Sequence, residues 1–313
     1  MIISLDKAVE LIRRGDIVAF PTETVYGLGA DAKNVAAVQK TFNMKGRPAD
    51  NPLIVHISDM DQVYELATDI PDSFKKLARH FWPGPLTMVL KKQAMVPDIV
   101  TAGLDSVAIR MPDHPVALEL IRNTGPLTAP SANRSGKPSP TKPEHIIEDY
   151  GNKLPVIDGG SSNIGLESTV LDLTSKQFTI LRPGAISAQM IATVLKTEVF
   201  ESSDHLSKST PKSPGVKYTH YKPKASVNWI HSVPSQFDST TFYILHSKMP
   251  DETDKNVVTC NGNFDLLAKL LYDYFRTADH LGYSQILVEA LPDLSSHPLI
   301  SPLNNRISKS IES

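Results

Sequence analysis

Cysteine is nearly absent from this chain. Cys260 is the only one in 313 residues, so no disulfide can close within it, which fits a reducing compartment. It follows Val257-Val258-Thr259 and reads as a small buried hydrophobe rather than a nucleophile. Cys-x-x-Cys zinc sites are thereby excluded, and the ten histidines show no His-x-x-x-His spacing, so no resident metal site is expected. No apolar run approaches the ~20 residues that span a bilayer. The opening Met1-Ile2-Ile3-Ser4-Leu5-Asp6-Lys7 lacks the basic head and long apolar core of a signal peptide. The expectation is a cytoplasmic protein with no membrane association. Also missing are Gly-x-Gly-x-x-Gly, Gly-x-x-x-x-Gly-Lys-Ser/Thr and Gly-x-Ser-x-Gly. Gly27-Leu28-Gly29 alone is a weak signal, so the standard nucleotide loops do not hold any phosphate bound here. A net charge of -2 argues against a generally nucleic-acid-binding surface; a basic patch must be local.

What is present is a normal globular composition, 41% hydrophobic and 21% charged, at a length that suggests about two domains. Through roughly the first 200 residues, short apolar runs alternate with helical patterns. Ile17 to Phe20, Leu53 to Ile57, Leu86 to Leu90, Val107 to Arg110, Leu127 to Ala129, Val156-Ile157, Ser168 to Leu173 and Phe178 to Leu181 are predicted strands. Asn34 to Phe42, Ser73 to Trp82, Pro115 to Arg122 and Ser187 to Leu195 are predicted helices, with Ser187 as an N-cap. The fold class is α/β, a twisted mixed sheet flanked by helices.

Residues 201–225 change character. From Ser207 to Ser226 there are five lysines and no acids, interleaved with prolines, Tyr218, His220 and Tyr221. This is a basic linker: either a solvated tether or an aromatic strap over an anionic ligand. Residues 226–313 form a smaller α/β unit, with strands at Val227 to Ile230, Phe242 to Leu245 and Ile286 to Glu289. A helical apolar stripe from Phe264 to Ala278 is core packing, and no chemical constellation stands out there.

Polar blocks sit at the edges of the apolar runs of the first domain. Lys45-Gly46-Arg47-Pro48 places two cations in a turn at i and i+2, a spacing that puts side chains on one side of an extended or turning segment. Such a pair suits a phosphate, with arginine forking onto its oxygens and lysine adding a compact charge. Alone it is most simply a solvated face. Asn51 and His56 follow. Ala129-Pro130-Ser131-Ala132-Asn133 leaves a strand, where α/β proteins place ligands, and runs on to Ser139. Glu167-Ser168-Thr169-Val170 enters a strand. Arg182-Pro183-Gly184 and Ser106 to Arg110 place arginines at strand ends. Nothing in composition shows that these blocks converge.

Taken in order, the blocks resemble the YrdC-type threonylcarbamoyl-AMP synthases in their longer two-domain form. The matching segments are Pro21 to Ala30, Lys45 to Pro48, Asn51-Pro52-Leu53, Ala129 to Asn133, Glu167 to Val170, Arg182 to Gly184 and the linker run Ser213 to Pro223. The resemblance implies a sheet with a basic concave face and a smaller Rossmann-like C-terminal domain. It implies synthesis of threonylcarbamoyl-AMP and pyrophosphate from L-threonine, bicarbonate or CO₂, and ATP with Mg²⁺. The product would pass to a complex that modifies tRNA beside the anticodon. Carried over by position, Lys45 and Arg47 would be catalytic, steadying phosphates. Thr24, His56, Arg110, Ala129 and Ser168 would hold threonine. Arg47, Asn51, Ser106, Ser131, Asn133, Ser139, Arg182, Tyr218, His220 and Tyr221 would meet the nucleotide. The chain departs from the family's pattern at Val216, Thr219 and Lys222, and its end, Asn304 to Lys309, only partly matches the family's closing helix.

Two rival readings remain at this point. A non-catalytic RNA-binding module would grip RNA by shape and phosphates. A carbamoyl-adenylate enzyme serving a metallocentre would carry acylphosphatase-like and zinc-finger segments, which the lone cysteine does not support.

Overall fold

The computed structural model describes residues 1–202, 221–249, 254–294 and 296–311. Among these, twelve strands form one large sheet: β1 Ile2–Ile3, β2 Val18–Phe20, β3 Gly27–Asp31, β4 Ile54–His56, β5 Ala67–Thr68, β6 Leu86–Lys92, β7 Ser106–Arg110, β8 Leu127–Thr128, β9 Val156–Ile157, β10 Thr169–Asp172, β11 Thr179–Arg182 and β12 Phe200–Glu201. Helices α1 Leu5–Arg13, α2 Val35–Lys45, α3 Asp61–Leu66, α4 Asp72–Phe81, α5 Asp98–Thr101, α6 Pro115–Thr124, α7 Pro143–Tyr150 and α8 Ala188–Leu195 alternate with the strands along the chain. The spatial order is β1-β9-β2-β3-β8-β4-β7-β6-β10-β11-β12, with β5 beside β6. Parallel pairs such as β4/β7 and β6/β10 mix with antiparallel ones such as β2/β3 and β6/β7.

The helices form where pattern and caps agree. In α4, Phe74, Leu77, Ala78 and Phe81 recur at helical spacing and are buried. Each large side chain among them contributes roughly 1.5–3 kcal/mol by leaving water. Asn34 caps α2 by accepting from the Ala37 amide at 3.1 Å, and Gly46 closes that helix at φ 63°. Ser187 does cap α8, accepting from the Met190 amide at 3.3 Å.

One sequence expectation changes. Lys45 and Arg47 do flank a turn, with left-handed Gly46 ending α2 between them, but they do not serve one side together: Lys45 holds the Ser131 and Asn133 carbonyls and Arg47 those of Asn51 and Pro52. Gly27-Leu28-Gly29 is the start of β3. A Cβ on Gly29 would sit 2.9 Å from the Phe20 ring, so packing under Phe20 is what requires glycine there. The sequence reading passed over α1, although Leu5, Ala8, Val9 and Ile12 recur at helical spacing behind the Ser4 cap; α3, α5 and the two-residue strands are too short to show a period.

Beyond the linker, β13 Ser226–Ile230, β14 Thr241–Leu245, β15 Val257–Thr259 and β16 Gln285–Glu289 form a parallel sheet ordered β13-β16-β14-β15. Helices α9 Phe264–His280 and α10 Ile300–Ile311 complete this part. The buried run of β14 is nearly all apolar, as expected for a sheet covered on both faces. Leu267, Leu271, Phe275 and Ala278 of α9 are indeed core. That core is shared across the domain boundary, since Val25 and Leu166 pack into it. Gly165 passes so near α9 that a Cβ would lie 2.4 Å from the Ala268 carbonyl oxygen.

Candidate active site

The site follows from where strands of the large sheet end. His56 closes β4 and Arg110 closes β7, and the parallel register pairs them side by side. The β2–β3 connection brings Thr22 and Thr24 over them. The exit of β8 supplies Ala129 to Asn133, the entry to β10 supplies Glu167 and Ser168, and the end of β11 supplies Arg182. Together with Arg47, Ser139 and Tyr221 these residues line one cleft of about 650 Å³, counting its open mouth.

At the inner end, Arg110 is fixed from three sides. Its Nε donates to the Gly84 carbonyl at 3.2 Å and its Nη1 to Thr24 Oγ1 at 2.8 Å. Its Nη2 lies 2.6 Å from Glu23 Oε1, with both groups buried. The Thr24 and Thr22 hydroxyls are 2.8 Å apart, and Thr22 Oγ1 donates to the Val25 carbonyl at 2.6 Å. His56 meets the Phe20 ring edge-on at 6.3 Å. Burial first, then the Arg110 charge, push its pKa down to about 3, so the ring is neutral at pH 7. Its Nδ1 has no hydrogen-bond partner among the described residues.

At the other end, Ser131 Oγ donates to Asn133 Oδ1 at 2.6 Å, and Asn133 Nδ2 donates to the Arg134 and Lys137 carbonyls, each at 2.8 Å. Lys45 lies behind this loop rather than on the cleft wall. Its amine donates to the Ser131 carbonyl, and to the Asn133 carbonyl at 2.6 Å. Burial, then the Arg47 charge, lower its pKa well below the ordinary value. Arg47 is on the wall, and its guanidinium donates to the Asn51 and Pro52 carbonyls at 3.3 and 3.0 Å. Asn51 is buried, off the wall, with Oδ1 unpartnered among the described residues. Ser106 is off the wall too. Continuing the β4/β7 register sets it level with Pro52, so it belongs to the Arg47 end, about 13 Å along β7 from Arg110.

Arg182 clasps Ser168, donating through Nε and Nη2 to its carbonyl at 3.1 and 3.0 Å and to its Oγ at 3.1 Å. The Ser168 hydroxyl is also 2.7 Å from Thr87 Oγ1. Glu167 accepts from Ser139 Oγ at 2.5 Å, Tyr272 OH at 3.0 Å and Arg306 Nε at 2.8 Å. Burial alone would raise its carboxyl. The charges of Arg306 and Arg182 and the hydrogen bonds outweigh that and hold it at about 2. The Arg306 guanidinium also lies 5.4 Å from the centroid of the Tyr221 ring, which stacks on Tyr272 at 5.4 Å. The C-terminal domain therefore braces two residues of the cleft wall, Glu167 and Tyr221, from behind.

Of the sequence-derived candidates, the fold gathers Thr24, Arg47, His56, Arg110, Ala129, Ser131, Asn133, Ser139, Ser168, Arg182 and Tyr221 around one cavity. Lys45, Asn51 and Ser106 stand outside its wall, and Tyr218 and His220 lie outside the described residues. Sequence reasoning missed Glu23, Tyr272 and Arg306, and gave Glu167 no role. A signal existed for Arg306: it shares the apolar face of α10 with Leu303 and Ser310, at i+3 and i+4 spacing, and is fully buried. Among the described residues no three His, Cys, Asp or Glu side chains cluster as a metal site.

Comparison with known proteins decides the family. The Sua5/YciO/YrdC family model, described as "Telomere recombination", matches residues 10–184, and that of the threonylcarbamoyl-AMP synthase C-terminal domain matches residues 186–311. The chain is 43% identical to threonylcarbamoyl-AMP synthase of Pyrococcus abyssi over 91% of its own length and 88% of that protein's. The chain belongs to the threonylcarbamoyl-AMP synthase family, in its two-domain Sua5 form. The Bacillus subtilis threonylcarbamoyl-AMP synthase is 42% identical over 92% of this chain and 88% of that one. The crystal structure of P. abyssi Sua5 complexed with L-threonine superposes with a TM-score of 0.87 at 38% identity, covering 98% of this chain and 94% of that one. As a family member the chain is an enzyme, a threonylcarbamoyl-AMP synthase of the nucleotidyltransferase class. The reading as a non-catalytic RNA-binding module gives way to it. No helix of the described residues is long and apolar enough to cross a membrane.

Proposed function

We propose that the cleft makes threonylcarbamoyl-AMP and pyrophosphate from L-threonine, bicarbonate or CO₂, and ATP, for modification of tRNA beside the anticodon. The observation that carries this reading is that Arg110, Thr24 and His56 line the same cavity as Arg47, Ser131 and Arg182. Residues 1–200 are the catalytic domain with its basic concave face, 201–225 the linker and 226–313 a Rossmann-like domain. The setting is cytoplasmic, and the product passes to a tRNA-modifying complex.

Arg110 takes the threonine carboxylate, with Thr24, neutral His56, Ala129 and Ser168 around the rest of the amino acid. The threonine amine captures CO₂ to give a carbamate. A carbamate oxygen attacks the α-phosphorus of ATP, and the bond to the bridging oxygen breaks as pyrophosphate leaves. Arg47, Ser131, Asn133, Ser139, Arg182 and Tyr221 align the nucleotide, with Asn51 and Ser106 behind Arg47 and the linker's Tyr218 and His220 above. Lys45 acts through the Ser131–Asn133 loop that it braces. Alignment and charge neutralisation are the work required, and no covalent nucleophile is needed. The one carboxylate on the wall, Glu167, is already held by Arg306, Tyr272 and Ser139. Mg²⁺ therefore fits as an ion brought with the triphosphate, neutralising its charge, rather than as a resident metal.

The test is incubation with L-threonine, bicarbonate, ATP and Mg²⁺, following pyrophosphate and threonylcarbamoyl-AMP. Threonine-dependent formation of both is expected. Folded protein that forms neither would overturn the reading.

A further inference from the structure

The two buried carboxylates beside the cleft are used differently. Glu167 is saturated by three donors. Glu23 touches Arg110 at 2.6 Å, yet neither of its oxygens, nor Nη2 of Arg110, has an aligned hydrogen bond among the described residues. Glu23 is 5% and Arg110 4% exposed. The guanidinium uses Nε on Gly84 and one Nη1 hydrogen on Thr24, so other hydrogens of its five-donor fork remain. The pair is neutral in sum but retains both donors and acceptors. Arg110 lines the cleft and Glu23 stands just behind it, so a ligand there meets a nearly neutral pair, a field that suits a zwitterion better than an anion.

We propose that Glu23 is a specificity-determining positioning residue, which reserves Arg110 for a zwitterionic amino acid and keeps phosphates from it. This rests on the reading of Arg110 as the carboxylate-binding residue. A lone buried guanidinium would attract a polyanion more than a monoanion, because Coulomb energy scales with charge. ATP and pyrophosphate would then compete for the amino-acid end. Glu23 cancels that field beyond contact range while leaving short-range hydrogen bonds intact. Elsewhere on the wall stand Arg47 and Arg182 with Tyr221, and the carboxylate Glu167 there is already held by Arg306, so phosphates are drawn to these cations. Once the amine becomes a carbamate anion, Glu23 repels it towards them.

The test compares wild type, Glu23→Gln, Glu23→Asp and Arg110→Lys. Calorimetry would measure binding of L-threonine and of 2,3-dihydroxybutyrate, its analogue with hydroxyl in place of ammonium. Steady-state assays would measure inhibition by inorganic pyrophosphate against threonine. Wild type should favour threonine over the analogue at least tenfold. Glu23→Gln should lose most of that preference, and pyrophosphate should become competitive with threonine. Glu23→Asp should restore part of the preference. A folded Glu23→Gln with wild-type selectivity would overturn the proposal. If Glu23→Gln does not fold, wild type binding both ligands equally would overturn it. Arg110→Lys binding threonine as wild type does would instead sink the carboxylate reading itself, whatever Glu23 does.

Discussion

The two ends of the cleft use the same chemistry to opposite effect. At the inner end, Glu23 and Arg110 come from neighbouring elements of one domain and keep unused hydrogen-bonding capacity. At the outer end, Glu167 from the first domain is saturated by Ser139 and by Tyr272 and Arg306 from the second. On the proposal above, the first pair receives a ligand. The second is a weld between domains that also sets the cleft wall. A buried ion pair is therefore not one kind of feature: what its atoms have left over decides whether it is a site or a support.

The comparison can be broken most forcefully at the weld. Arg306→Met leaves Glu167 buried without its cation, which costs about 3–5 kcal/mol; urea unfolding should shift accordingly. Adding Glu167→Leu should recover much of the loss, whereas no recovery would mean that Arg306 acts elsewhere. Next in size is the outer wall. Arg47→Ala should lower kcat/KM for ATP by about one to two powers of ten, the loss of a charge-assisted contact of about 1.5–3 kcal/mol. Near-normal turnover would remove Arg47 from the nucleotide end. Lys45→Met separates the neighbouring cations. Its amine serves two backbone carbonyls, so thermal stability should fall by about 1–3 kcal/mol, with activity falling through misplacement of Ser131 and Asn133.

Acid probes the weld without mutation. Against the cost of burial, the charges of Arg306 and Arg182 hold the Glu167 carboxyl at about 2 in the folded protein, below its ordinary value of 4.5. Its stabilising contribution is thus complete above pH 4.5 and fades as pH falls towards 2. Glu167→Gln should flatten the pH dependence of stability in that window, which a series of chemical denaturation curves would show. The smallest effect is expected far from both ends. Cys260 is buried, and burial raises its thiol pKa. Cys260→Ala should leave turnover unchanged and cost about 1 kcal/mol or less, checked by thermal melting beside the activity assay.

Much of the first domain was legible because its signals are local. Ile54 to His56 and Val107 to Arg110 are apolar runs ending in polar residues, and polar residues at strand ends mark where α/β proteins bind. Pro115 opens α6, and Asn34 and Gly46 bracket α2, as their backbone preferences require. The site was partly legible for the same reason: Ser131 and Asn133 do meet, as two-residue spacing suggests. Lys45 and Arg47 hold different backbone carbonyls, because one glycine with positive φ turns the chain between them. Elements of two to four residues, such as β12 and α5, have no period to detect and exist only because neighbours pair with or pack on them.

The sequence by itself determined the α/β class, the motif set and, through the order of those motifs, the family. These rest on residue type and spacing, which are one-dimensional properties. Only the tertiary structure decided that Arg306, 139 residues from Glu167 along the chain, holds that carboxylate in the cleft wall, and that Glu23 rather than solvent faces Arg110. A charge finds its counter-ion through space, and burial in a poorly screening interior is what gives that choice its energy.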